Sequence, residues 1–269
     1  MNTSPSVLPS FSRPPVIEVV CGVQFDRLSS FKAVHFGEFL QRVRHAYPHT
    51  EDHPPLAEVF DDRPGTDRPS LLEMDIPFSR VFYIDPSGNF LLQLQPTRFL
   101  ANWRRMNDSD EYPRFTAAYD RFLNGWDDFV RFCKTNGLGT PQVNQYELTY
   151  INHVAEAVEA YPVGIQHILP IVSWRSAQSI HFLPPPRGLS LKVQFALPDD
   201  KGSLHVTVNH GERRRDKERV LLLDLTARGP GLKDWSDMNV WFQTAHEWIV
   251  RGFTDLTAGI AHDRWGRQQ

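Results

Sequence analysis

The feature that most constrains this chain is the segment over residues 112–154, where a strongly striped helix is followed by a run with β patterning. Tyr112, Phe115, Tyr119, Phe122, Leu123, Trp126, Phe129, Val130 and Cys133 recur by threes, fours and adjacent pairs. That spacing puts them on one face of a 3.6-residue period, with Lys, Arg and Asp on the other. Burying one large apolar side chain contributes about 1.5–3 kcal/mol. A stripe of this size therefore needs a broad apolar partner, and a sheet face is the usual one. Gly137, Gly139 and Pro141 stop the helix. Over residues 145–154, Tyr146, Leu148, Tyr150 and Asn152 then alternate with Glu147, Thr149, Ile151 and His153, which is the period of a strand.

The remaining elements fall into place around this pair. Residues 16–25 form a mostly apolar run with Glu18 as its one charge, the pattern of a covered strand. Residues 31–47 put Phe36, Phe39, Leu40, Val43 and Tyr47 on one helical face, and Pro48 ends them. Residues 49–69, rich in proline and acidic side chains, read as an exposed connection. Strands are expected over 80–85, 89–95 and 97–103, the first two joined by the turn Asp85-Pro86-Ser87-Gly88. After residue 154 a short helix over 161–169 opens at Pro162. Strands follow over 189–197, 203–210 and 219–227, and a last helix over 238–260 carries Trp241, Ala245, Trp248, Ile249, Gly252, Phe253, Leu256 and Ile260 on one stripe. The expected fold class is α+β, with mainly antiparallel sheets each covered by an aromatic-rich helix. The expected organisation is a flexible tail at 1–15, an N-terminal α+β half at 16–155, and a C-terminal α+β half at 156–269 ending in a long helix.

Two short matches raise duplication as an alternative to independent halves. Val23-Gln24-Phe25 recurs as Val193-Gln194-Phe195, and Phe122 with Phe129-Val130-Arg131 recurs as Phe242 with Ile249-Val250-Arg251. With these elements in hand, the chain resembles a sporadically distributed, uncharacterised prokaryotic protein family of similar length. The resemblance rests on Pro14-Pro15-x-x-Glu18-Val19 leading to Gln24-Phe25, and on the strand Leu148-Thr149-Tyr150-Ile151-Asn152. It also rests on an ending that runs from His246 to Phe253, through Leu256-Thr257, to Trp265-Gly266-Arg267. It implies a bacterial origin and one recurring architecture, and it brings no established catalytic residues.

With 269 residues, 41% hydrophobic and 23% charged, the composition is that of a globular protein, and a net charge of -3 gives no global drive toward nucleic acid or anionic membrane. No stretch approaches the length of a membrane span and no secretory pattern opens the chain, so a cytoplasmic protein is expected. Cys21 and Cys133 lie on apolar elements and read as two buried thiols.

Three constellations could carry chemistry. His246-Glu247 and His262-Asp263 offer metal-ligand types, but metalloprotease chemistry needs a second His four residues after the first, and position 250 is Val. A polar helix face with a helix-terminal His is the plainer reading, and no metal or cofactor is expected. Residues 212–219 cluster Arg213, Arg214, Arg215, Lys217 and Arg219 with three acids, without the interleaved aromatics that stack bases. This loop is either a phosphate-binding site or a solvated hairpin tip with internal ion pairs. Lastly, Glu18, Gln24, Glu147, Asn152 and His153 lie on two expected central strands, where Glu18 and Glu147 could share a pocket and shift each other's pKa. Hydrogen-bonded structural carboxylates are the plainer reading.

Structural motifs are thus everywhere and catalytic motifs nowhere. The expected function is a cytosolic accessory or binding protein, not an enzyme, acting through a protein partner or self-association. It would present a sheet face or its aromatic helices, with seven Trp as potential anchors. The alternatives are a nucleic-acid module using the 213–219 loop, and an enzyme with a carboxylate pocket near Glu18 and Glu147, with His153 close by.

Overall fold

The computed structural model describes residues 7–59, 79–155, 165–172, 182, 187–213, 217–231 and 235–268. Its elements are β1 (Val16–Phe25), α1 (Val34–Val43), β2 (His49–His53), β3 (Arg80–Ile84), β4 (Phe90–Gln95), β5 (Arg98–Arg104), α2 (Arg114–Thr135) and β6 (Val143–Val154). They continue with β7 (Ser190–Ala196), β8 (Ser203–Glu212), β9 (Arg219–Pro230), α3 (Trp235–Leu256) and α4 (Gly259–Arg264). The α+β class holds. All nine strands form one antiparallel sheet in the order β2-β3-β4-β5-β1-β6-β9-β8-β7, so the two halves share a single sheet joined between β1 and β6.

The described helices α1, α2 and α3 lie on one side of that sheet, and the opposite face carries no helix among the described residues. In β1, Val19, Cys21, Val23 and Phe25 face them, and the register Val23↔Tyr146 and Cys21↔Leu148 carries that face into β6. Phe25 packs on Trp126 of α2, and Tyr146 packs on Trp241 and Phe242 of α3. Gly125 lets α2 settle close to the sheet, since a Cβ there would stand 2.8 Å from Leu92 Cδ2 and 3.0 Å from Phe99 Cζ. The aromatic stripes read from the sequence are therefore core. Trp103, Trp126, Trp241 and Trp265 are all buried, which withdraws them as interface anchors, and Trp174 lies outside the described residues. Cys21 and Cys133 are buried free thiols.

From each edge inward the sheet repeats an order: β3-β4-β5-β1 in one half and β7-β8-β9-β6 in the other, with β2 added outside β3. The helix match belongs to that symmetry, since α2 and α3 both have 22 residues. The rings of Phe122 and Phe242 meet across them at 5.1 Å. The tripeptide match does not, because Val23-Gln24-Phe25 lies on central β1 and Val193-Gln194-Phe195 on edge strand β7.

Several sequence expectations need correcting. His49–His53, expected as part of an exposed connection, is an edge strand on β3. It is polar on both faces, so backbone pairing and not hydrophobic patterning forms it. The supposed tail is docked from Ser10 onward. Phe11 is buried against Phe253 and Trp265, Ser12 N donates to Gly266 O and Arg13 N to Trp265 O, both at 2.9 Å. The last helix stops at Leu256 and resumes as α4. Of the helix expected over 161–169, only a 3-10 turn at Ile165–His167 is described, and residues 161–164 lie outside the described set. Among the described residues, no helix is long and apolar enough to cross a membrane.

Candidate functional site on the helix-free sheet face

Alternation sends every second residue of each strand away from the helices, and on this sheet most of those residues are polar. On β1, β5 and β4 they include Glu18, Gln24, Arg98, Asn102, Gln93 and Gln95. All but Glu18 are counted among the buried polar side chains, with exposures between 2% and 6%. Burial of that degree costs free energy unless the groups are bonded. Two cross-strand chains of hydrogen bonds answer the cost. In the first, Arg80 donates to Gln93 Oε1 at 2.9 Å, Gln93 Nε2 to Asn102 Oδ1 at 2.9 Å, and Asn102 Nδ2 to Glu18 Oε1 at 2.5 Å. In the second, Arg98 donates to Gln24 Oε1 at 2.7 Å, Gln24 Nε2 to Asn144 Oδ1 at 3.1 Å, and Asn144 Nδ2 to Asp26 Oδ1 at 2.8 Å. Each chain starts on a guanidinium and ends on a carboxylate, so every amide dipole points the same way along it.

Gln24 and Arg98 of the second chain, with Gln95 beside them, also hold a passing segment. Gln95 bonds both backbone groups of Leu56, accepting from its N–H at 2.9 Å and donating to its C=O at 3.0 Å. Gln24 does the same for Val59, at 3.2 and 3.3 Å. Arg98 donates to the Ala57 carbonyl at 3.3 Å. A side-chain amide that satisfies both polar groups of one residue supplies what a neighbouring strand would supply. The segment is thus held on the sheet face through the backbone of Leu56, Ala57 and Val59.

Over β6, β9 and β8 the same face is less covered. Arg228 Nε donates to Glu147 Oε2 at 2.8 Å, and these side chains keep 23% and 14% exposure. Thr149 and Thr226 share a hydrogen bond of 3.0 Å. Asp224 Oδ1 is buried with no hydrogen-bond partner among the described residues. The carboxylates behave differently. Burial raises Glu18, against the pull of Asn102, Arg104 and Arg80. Burial, with Glu18 nearby, pushes Asp224 up to about 6. Burial also works to raise Glu147, but Arg228 and Arg98 outweigh it and hold its carboxyl below the ordinary value.

Of the sequence candidates, Glu18, Gln24, Glu147 and His153 share this face, whereas Asn152 points to the helix side and donates to Leu223 O at 2.9 Å. Glu18 and Glu147 do not share a pocket. Glu18 pairs with Ile151, four residues along β6 from Glu147, which is about 13 Å at a strand's rise per residue. Asn102 engages one carboxylate and Arg228 the other. The acid that Glu18 does influence is Asp224, across Ile151.

In the β8–β9 turn, Arg213 is ion-paired with Glu218 and Lys217 with Glu212, while Arg214 and Arg215 lie outside the described residues. Arg219 opens β9 and is exposed. His246 and His262 are separated. His246 stacks on Phe115 with centroids 4.1 Å apart, while His262 bonds Thr257 Oγ1 at 2.8 Å and Arg267 at 3.2 Å. Among the described residues no three His, Cys, Asp or Glu side chains are grouped to hold a metal. Sequence reasoning missed Gln93, Gln95, Arg98, Asn102, Asp224 and Arg228; the signal was the alternation of Gln, Asn and Arg with large apolar residues in β4 and β5, and of Asp224, Thr226 and Arg228 with Leu223, Leu225 and Ala227 in β9. No family model matches this chain, and no curated protein aligns with it significantly.

Proposed function

We propose that this is a non-catalytic binding protein, an accessory protein of the prokaryotic cytosol, whose helix-free sheet face receives an extended segment of a protein partner. The observation that carries this reading is the double clamp on residues 54–59, in which Gln95 and Gln24 each bind the N–H and C=O of one residue. The chain itself occupies the part of the face around Gln24, Gln95 and Arg98 in this way. The face over β6 and β9 offers matching chemistry: paired threonine hydroxyls, the Glu147–Arg228 pair and an oxygen of Asp224 without a partner among the described residues. An extended polypeptide has the alternating donors and acceptors such a surface needs. The helices support this choice by default, because their aromatic stripes are spent on the core.

The test is site-specific photo-cross-linking in cells that make the protein natively. A photoreactive side chain at Thr226, on the partly covered face, is expected to give a discrete protein adduct. The same group at Arg131, on the exposed side of α2, is expected to give none. Absence of an adduct from position 226, or the same adduct from both positions, would contradict the proposal.

A further inference from the structure

On the helix side of the sheet, away from the face described above, α2, α3 and β6 diverge around a cavity of about 240 Å³. Its inner wall is apolar, built from Val16, Phe115, Leu225, Ile249, Val250 and Phe253, and the N-terminal segment borders it between Leu8 and Pro14. A dry cavity of about 150 Å³ lined by Leu, Ile and Phe is large enough for benzene. This one has room for about one ring and a short chain by the same measure.

Polar groups enter at defined points. Tyr112 and Tyr150 share a hydroxyl hydrogen bond of 2.9 Å, and Tyr150 bonds His246 Nδ1 at 3.1 Å. His246 is neutral, since burial pushes it down to about 4. No Asp or Glu is among the lining residues. Arg114 therefore supplies the one formal charge of the described wall, and it sits exposed beside the mouth. It is the first residue of α2, a helix that has no capping side chain and no acid in its first turn, so its free N–H groups add to the positive potential there. Arg114 holds a φ of +72°, a left-handed conformation that is costly for a side chain with a Cβ. Its guanidinium also donates to Phe11 O at 3.2 Å, linking the mouth to the N-terminal segment.

We propose that this cavity binds a small amphipathic carboxylate, its apolar body between α2 and α3 and its carboxylate at the mouth on Arg114. Apolar walls without a charged group inside select a hydrophobic body, while an arginine at the rim favours a planar anion that it can bind through two N–H groups. The Tyr112–Tyr150–His246 chain forms a neutral polar wall beside the body. This site is independent of the sheet-face reading, and either can fail without the other.

The experiment is isothermal titration of the full chain with 4-phenylbutanoate and with its neutral counterpart 4-phenylbutan-1-ol. The carboxylate is expected to bind about tenfold or more tightly than the alcohol, as a charge-assisted bond at a half-open site should allow. Arg114→Gln is expected to reduce it to the alcohol's level, and Arg114→Lys, which keeps the charge but not the two-pronged bond, to keep only part of the difference. Val250→Phe, which fills the cavity, is expected to abolish binding of both while the thermal unfolding midpoint stays near that of the wild type. If Val250→Phe does not fold, Thr116→Phe blocks the mouth instead. Failure of both probes to bind the folded wild type, equal binding of acid and alcohol, or carboxylate binding that survives the filling variant would overturn the proposal.

Discussion

Over β4, β5 and β1 the helix-free face of the sheet is sealed, and over β6, β9 and β8 the same face is partly open. Both regions are built from polar residues at alternate positions. In the sealed region Gln93, Asn102, Arg98 and Gln24 are bonded in chains, and Gln95, Arg98 and Gln24 also hold the backbone of Leu56, Ala57 and Val59. In the open region Glu147 and Arg228 pair without a described segment above them, and one oxygen of Asp224 has no partner among the described residues. The difference teaches that polarity on a sheet face does not by itself mean solvent. What decides is whether the polar groups find partners, along the sheet as from Arg80 to Glu18 or on a crossing segment as at Gln24, Gln95 and Arg98.

Substitutions can break this comparison, and the largest effect is expected in the sealed region. Arg98→Met removes the bonds to Gln24 Oε1 and the Ala57 carbonyl, leaves Gln24 Oε1 with only the Val59 N–H, and puts an apolar side chain in a polar buried site. Urea unfolding at pH 7 should report a loss of about 3 kcal/mol; a loss under about 1 kcal/mol would mean that the region is not sealed. Next comes Arg228→Ala, which leaves Glu147 without its closest cation and should cost about 2 kcal/mol at pH 7. The folded-state pKa of Glu147 is depressed, so its stabilising contribution is complete above the unfolded value of 4.5 and is lost as pH falls through the folded one. In the variant that acid-side loss should shrink, which urea midpoints across pH would record.

Asp224 should behave in the opposite sense. Its folded pKa is raised from 3.8 to about 6, so the folded state holds the extra proton and stability falls as pH rises through that window. Asp224→Asn should therefore stabilise the protein at pH 8 by about 1–2 kcal/mol after allowance for partial exposure, and the gain should vanish below pH 3.8. The smallest effect is expected from Thr207→Val on the open face of β8, within about 0.5 kcal/mol by thermal unfolding. A larger loss would show that this region is covered after all.

The elements with a strong apolar period were legible in the sequence. The stripe from Phe115 to Cys133 and the alternation from Tyr146 to Val154 both predict the observed core faces, because burial of large side chains dominates at those positions. The edge strand His49–His53 was not legible, since its formation depends on backbone bonds that any sequence can make. Nor were the polar chains. Gln93 and Asn102 look like the wet side of an alternating strand, and only the register that places them beside each other turns them into buried partners. The cavity drew Tyr112, Tyr150 and His246 from three elements, and no local spacing relates them.

The account rests most directly on side-chain amides of the sheet holding the backbone of a passing segment, and amide hydrogen exchange at Leu56 and Val59 measures that. In the wild type both N–H groups should exchange about tenfold or more slowly than in a free peptide. Gln95→Ala should release Leu56, and Gln24→Ala should release Val59. Unprotected exchange at both positions in the wild type would contradict the account.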